Sequence, residues 1–303
     1  MAIVKVEVGV NGAWTPLTLT NGKWTGAITA PATTSYNLEG KFYPVQVRVT
    51  NSAGTVKIFD TTAATIGESL KLFVKETVKP VITVVSPSKG AYVTNNKQKI
   101  VFNVTDEAGG SGVNKDSVTL KLGTASYTAS SVGMVVTAIA NGFKFEYTPQ
   151  AALKDGAQTI TINAKDNDGN AAETVNSTFK VDTVPPTLTI SSPKDGLITN
   201  KAALTVSGKT NDVTSSPVKV NVKLNNVDQG TVTVGTDGAF SKSVNLKEGA
   251  NTIVVTATDS AGKKSSITLE VTLDTTVPVV KSVVMTPNPV NTNAAVQITI
   301  EVG

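Results

Sequence analysis

Asp166-Asn167-Asp168-Gly169-Asn170 is the stretch whose residue types and spacing most resemble reactive or ligating chemistry, since alternating carboxylates and amides around a glycine suit a calcium loop. A full calcium hand also needs a bidentate glutamate at about the twelfth position and a helix on either side. Ser177 stands there, and the flanking residues alternate as strands do. Asp259-Ser260-Ala261-Gly262 and Asn51-Ser52-Ala53-Gly54 hold the same place with fewer carboxylates. The expectation is a hairpin turn, with Asp166 and Asp168 as weak calcium candidates. The acids at module edges, Asp106, Glu107, Asp182, Asp212 and Asp274, are expected to be solvated linker residues, with calcium at the joints as the alternative.

Nucleophilic catalysis has little to work with. The chain contains no histidine and no cysteine, which removes Ser-His-Asp and Cys-His systems, ordinary zinc sites and any disulfide framework. No catalytic residue and no cofactor is expected. The second group with chemical potential is aromatic. Trp14 and Trp24, the only tryptophans, lie near Tyr36, Phe42 and Tyr43. Exposed, these five rings would stack on sugars or on a partner; buried, they would fill the core of a small domain or meet its neighbour. Residues 31–44 break the strand alternation and are the candidate contact loop.

The elements that carry these residues are strands. Hydrophobic residues make up 40% of the chain but aromatics only 5%, so Val, Ile, Leu and Ala must fill the cores. Abundant Val and Thr suit pleated, half-buried surfaces, and no window shows a convincing helical period. Arg48 is the only arginine, the net charge of +4 is spread along the strands, and no basic run occurs, which argues against nucleic acid as a partner. No apolar run reaches the ~18 residues needed to span a bilayer.

A duplication organises the chain. VKPVITVVSPSKGAYVTNNKQKIVFNVTD at 78–106 recurs without a gap as VPPTLTISSPKDGLITNKAALTVSGKTND at 184–212. KDGAQTITINAKDNDG at 154–169 recurs as KEGANTIVVTATDSAG at 247–262. Units are therefore expected at 1–77, 78–182 and 183–275, with a strand extension at 276–303. The linkers KETVKP (75–80), VDTVPP (181–186) and LDTTVPV (273–279) put proline at strand starts and make semi-rigid joints. In the first unit, Asn11-Gly12 and Asn21-Gly22 predict a three-stranded meander over 3–29, with Leu17 and Leu19 facing inward. In the last segment, Val283, Val296, Ile298 and Ile300 mark two strands expected to dock on unit three or on a partner subunit. Residues 1–14 read as a strand entering a turn, not as a signal peptide, so with Met1 as the natural start no export by the general secretory route is expected.

Pro186, Ser192-Pro193, Gly196, Thr199-Asn200, Glu248-Gly249, Asn251-Thr252 and Asp259-Ser260-Ala261-Gly262 together form a frame that resembles bacterial immunoglobulin-like repeats. The frame is close in 183–275, good in 78–182 apart from an insertion at 105–117, and weakest in 1–77. The resemblance implies an all-β chain of tandem immunoglobulin-like β-sandwich domains in an elongated rod, with a C-terminal two-stranded extension. Such repeats occur in surface adhesins, in secreted polysaccharide-degrading enzymes and in phage tail and head proteins. The first unit and the C-terminal strands resemble phage-tail members. The implied role is a non-enzymatic structural or attachment component of a virion (tail, baseplate or fibre-associated), assembled in the host cytoplasm in many copies. Its partners would be other virion proteins, met through the terminal segments, and bacterial cell-surface carbohydrate. The alternatives are a bacterial surface adhesin or spacer, an accessory region of a polysaccharide-degrading enzyme and a capsid decoration protein.

Overall fold

A computed structural model describes residues 1–303. Apart from two short 3-10 turns at Glu39–Lys41 and Gly67–Leu70, all regular structure is β. No helix is long and apolar enough to cross a membrane. The chain forms two compact units, 1–182 and 183–303.

Within the first unit, residues 78–182 make a sandwich. Val81–Ser86 is the edge of a four-stranded sheet that continues through Ile100–Thr105, Gly142–Tyr147 and Met134–Ile139. After Ser86 the chain turns at Gly90, whose φ of 79° is left-handed backbone that favours glycine. It then crosses to the opposite sheet, where Tyr92–Val93 runs parallel to Val175–Val181. That sheet goes on through Gly156–Asp166, Val113–Leu122 and Ala125–Thr128. Ile100, Phe102, Leu120, Phe145, Ile160 and Ile162 fill the space between the sheets and are wholly buried. The Phe102 and Phe145 rings stack with centroids 5.0 Å apart.

The second unit repeats the plan. Thr187–Ser192 pairs with Ala203–Asn211, the chain turns at Gly196, and Leu197–Thr199 runs parallel to Lys264–Leu273 in the other sheet. The duplicated Ser-Pro-x-x-Gly is thus a duplicated crossing between sheets. Along Gly249–Thr258 the alternation is clean, with Asn251, Ile253, Val255 and Ala257 buried. Two facing, mainly antiparallel sheets with this crossing form the immunoglobulin-type sandwich.

Residues 1–77 are thinner. Ile3–Val10 pairs with Ala13–Pro16 and Tyr43–Asn51, and Val56–Phe59 closes the far side. Both Asn-Gly turns have positive φ at both residues, as the two-residue hairpin requires. The three-stranded meander is not found: the second hairpin, Thr18–Thr20 with Lys23–Thr25, stands apart as its own two-stranded sheet. Pro16 has no amide to continue the ladder, and after one bond from Leu17 N to Val6 O (2.9 Å) the chain leaves the sheet. Leu19 consequently sits on a separate hairpin and is 53% exposed rather than inward-facing.

Val280–Thr286 and Gln297–Val302 pair only with each other. Every residue from Asp274 to Gly303 is exposed, so the expected docking of this hairpin on the third domain does not occur. Val283, Val296, Ile298 and Ile300 all present their side chains to solvent.

An acidic cluster between the first two domains

The turn after Gly156–Asp166 forms as the sequence predicts. Asp166 Oδ1 accepts from the amides of Gly169 (2.6 Å) and Asn170 (2.8 Å), and Asn170 Nδ2 donates to Asp166 Oδ2 (2.7 Å). Asn51 and Asp259 build the corresponding turns: Asn51 Oδ1 accepts from Ala53 N (2.9 Å) and Thr55 N (3.0 Å), and Asp259 Oδ1 accepts from Lys263 N (2.9 Å).

Asp166 does more than make a turn. It is 1% exposed, and a carboxylate oxygen of Asp166, one of Asp106 and one of Glu76 all lie within 4.8 Å of one another. Three elements bring them together. Asp166 ends its strand, Asp106 follows Ile100–Thr105, and Glu76 comes from the first linker. Asp106 Oδ2 accepts from Gly112 N (2.8 Å), whereas Asp106 Oδ1 is buried and has no hydrogen-bond partner. The adjacent Glu107 Oε2 is likewise buried and unpartnered. Glu76 Oε1 accepts from Ser111 Oγ (3.1 Å), and Glu76 Oε2 accepts from Val78 N (2.7 Å). Burial pushes the Glu76 and Glu107 carboxyls above their ordinary values, and for Glu107 the neighbouring Asp106 adds to the rise.

Around this cluster the first domain is bonded to the second. Asp168 Oδ2 accepts from Thr34 Oγ1 (2.5 Å) and from Glu76 N (3.0 Å). Asn170 Nδ2 donates to Glu76 O (3.0 Å), and Asn37 Nδ2 donates to Gly110 O (2.6 Å). Asp168 is therefore a joint residue and stands outside the three-carboxylate set. The loop 31–44, expected to meet a partner, uses Thr34 and Asn37 to hold its own neighbour. Asp106, Asp182 and Asp212 are buried, which overturns the expectation of solvated linker acids; Asp274 is exposed and fits it. The sequence reading named Asn170 within the turn but missed Glu76 and Ser111. The signals were present in the acid-Thr-Val shared by the linkers at 75–80 and 181–186, and in the insertion at 105–117.

The five aromatic candidates do not form one strip. Tyr43 is 5% exposed, with its hydroxyl 2.6 Å from Thr33 Oγ1, so it offers no face to a ligand. Phe42 packs edge-on to Phe73, and Lys41 Nζ lies 3.9 Å above the Tyr36 ring. Trp14 packs over Gly9, its cross-strand partner, under Arg48. Trp24 stands opposite Leu19 on the separate hairpin, half-buried.

Residues 186–275 match the family model described as glucodextranase, domain B. The chain is also 35% identical over 173 residues to Bacillopeptidase F of Bacillus subtilis (strain 168), a match covering 55% of this chain. That match spans 11% of the relative's length. Among solved structures, the fibronectin(III)-like modules of Clostridium thermocellum CbhA resemble this chain at 18% identity and a TM-score of 0.38, over 64% of this chain and 94% of theirs. Sidekick-1 immunoglobulin domains 1–5 resemble it at 12% identity and a TM-score of 0.41, over 92% and 55%. The sheet topology above is that of tandem immunoglobulin-type β-sandwich domains. Asp212 and Asp259, which correspond in sequence to Asp106 and Asp166, both fall inside the matched glucodextranase range. Asp212 Oδ1 accepts from the amides of Thr214 and Ser215 (2.7 Å each), and Asp259 Oδ2 is again a buried oxygen without a partner.

Proposed function

We propose that the chain is a non-enzymatic structural and attachment protein whose immunoglobulin-like domains act as an ordered spacer presenting its terminal segments. The observation that carries this reading is the joint in the first unit. There, Thr34, Asn37 and Glu76 bond specifically to Gly110, Asp168 and Asn170, as a spacer that must hold two domains in one arrangement requires. Two locations fit. A bacteriophage virion, tail or baseplate above head, is favoured by the resemblance of the first domain and the C-terminal strands to phage-tail members. A bacterial surface or secreted setting is favoured by the matches to glucodextranase domain B and to Bacillopeptidase F. Trp24, half-buried beside Leu19 on the separate hairpin, is the aromatic residue we assign to contact with a cell-surface glycan.

Immunogold labelling with an antibody against this chain, on purified virions and on intact bacteria, tests the reading; label on neither overturns it. A glycan array probed with the wild-type chain and with Trp24→Ala tests the contact. Binding that survives the substitution removes Trp24 from the site.

A further inference from the structure

We infer that the third domain carries a cleft that binds a neutral oligosaccharide. The inference adds a contact to the attachment role proposed above, at a place separate from Trp24, and stands or falls independently of it.

The cleft has a volume of about 670 Å³ and opens beside the crossing from Val227–Val232 to Ala239–Asn245. That size lies within the range of sites that hold small organic ligands. The buried and half-buried part of its lining is Thr210, Val218, Val232, Val234 and Gly238, while Asn211, Lys219, Thr231, Thr233 and Thr236 are exposed. A shallower depression of about 280 Å³ adjoins it, sharing Thr210, Asn211, Thr236 and Gly238 and reaching Thr187 and Thr189. Together they suit an extended ligand rather than a single ring.

The duplicated second domain shows that the fold does not require this cleft. There, Val104 lies opposite Phe143, and both side chains pack into the core. The repeat puts Thr210 at the place of Val104, and Thr210 N donates to Gly238 O (2.9 Å), so glycine stands where the second domain has Phe143. The sheet of the second domain also continues to a fourth strand, Met134–Ile139, whereas the corresponding sheet here ends at Ala239–Asn245. An aromatic ring, an aliphatic side chain and a strand have thus given way to a hydroxyl and a glycine. Giving up buried apolar contact lowers stability, and a ligand in the cleft would restore the lost contact.

The chemistry of the walls selects the ligand. Thr231, Thr233 and Thr236 each present a hydroxyl that both donates and accepts, as sugar hydroxyls also do, and Asn211 adds an amide. Val218, Val232, Val234 and the threonine methyls supply apolar surface for the C–H faces of a ring. Charge is balanced: Lys219 is the one base of the cleft and Asp212 its one acid, and Asp212 Oδ1 already accepts from the amides of Thr214 and Ser215. A polyanion would need a cluster of bases. A peptide added as a strand would need free backbone. The backbone of the crossing is engaged within the domain: Val220 pairs with Val232, Val234 is bridged to Phe240, and Gly235 N donates to Ala239 O (2.8 Å).

Saturation-transfer NMR on the full chain, with maltohexaose, cellohexaose and chitohexaose each at up to about 10 mM, tests the inference. At least one of these neutral hexasaccharides should bind and give a dissociation constant by calorimetric titration. The pair T231V/T233V nearly keeps side-chain shape while removing two hydroxyls, and should weaken that binding roughly tenfold or more. Both positions are exposed, so circular dichroism melting of the variant should match the wild type. Should the pair fail to fold, Asn211→Ala serves, since the bonds of Asn211 to Thr187 are made by its backbone. Trp24→Ala should bind as the wild type does. The inference is overturned if no neutral hexasaccharide binds, if the T231V/T233V chain binds with unchanged affinity, or if Trp24→Ala alone abolishes binding, which would leave the contact at Trp24. Tighter binding of a heparin hexasaccharide than of all three would also overturn it.

Discussion

Arg48 lies over the ring of Trp14, its guanidinium carbon 4.3 Å from the ring centroid, and its Nε donates to Glu7 Oε2 at 2.8 Å. One side chain thus clamps the tryptophan to the sheet and neutralises a buried carboxylate. In Arg48→Ala both contacts go and Glu7 keeps only Lys5, at 3.0 Å. The tryptophan-detected melting temperature should fall by several degrees. Arg48→Lys should recover only part of that, because an ammonium lacks the planar fork that does both jobs.

The pH response of the same site has a definite sign. The hydrogen bond from Arg48, then that from Lys5, holds the Glu7 carboxyl down at about 2, against an ordinary value of 4.5. A depressed carboxylate stabilises the fold above its unfolded value and loses that contribution as pH falls through its folded value. Tryptophan-detected stability should therefore decline from about pH 4.5 towards pH 2, and this component should vanish in Glu7→Gln. An equal acid-induced decline in that variant would count against the assignment.

Gly208 sits where two strands and a ring approach closely. A Cβ there would fall within 2.0 Å of Thr189 O and 2.8 Å of Phe240 Cζ. Backbone cannot yield as a flexible side-chain tip can, so Gly208→Ala should cost the second unit about 1–3 kcal/mol in urea unfolding followed by circular dichroism. Gly196→Ala meets no atom within 4 Å but takes a strained φ of 75°, and should cost less, roughly 1 kcal/mol.

The C-terminal hairpin makes the opposite kind of prediction. Since every residue of 277–303 is exposed, removing them should leave the melting of the third domain unchanged. If the hairpin is the assembly element, the truncated chain should lose its higher-mass species in analytical ultracentrifugation. A melting temperature lowered by the truncation would show that the strands do pack on the domain.

The sequence alone determined what depends on neighbours along the chain. Alternating apolar residues along Gly249–Thr258, positive-φ turns at Asn11-Gly12 and Asn21-Gly22, and the repeated glycine turn after Ser-Pro, at Gly90 and Gly196, are all local patterns, and each forms as written. Tertiary structure decided where those patterns meet. Leu19 alternates like an inward residue yet lies exposed, because the chain left the main sheet at Pro16. Tyr43 belongs to a run of aromatic residues yet is buried. Glu76, Asp106 and Asp166 are far apart in the chain, and no periodicity links them. They converge because one lies in a linker, one follows a strand in one sheet, and one ends a strand in the other, all at the same end of the sandwich.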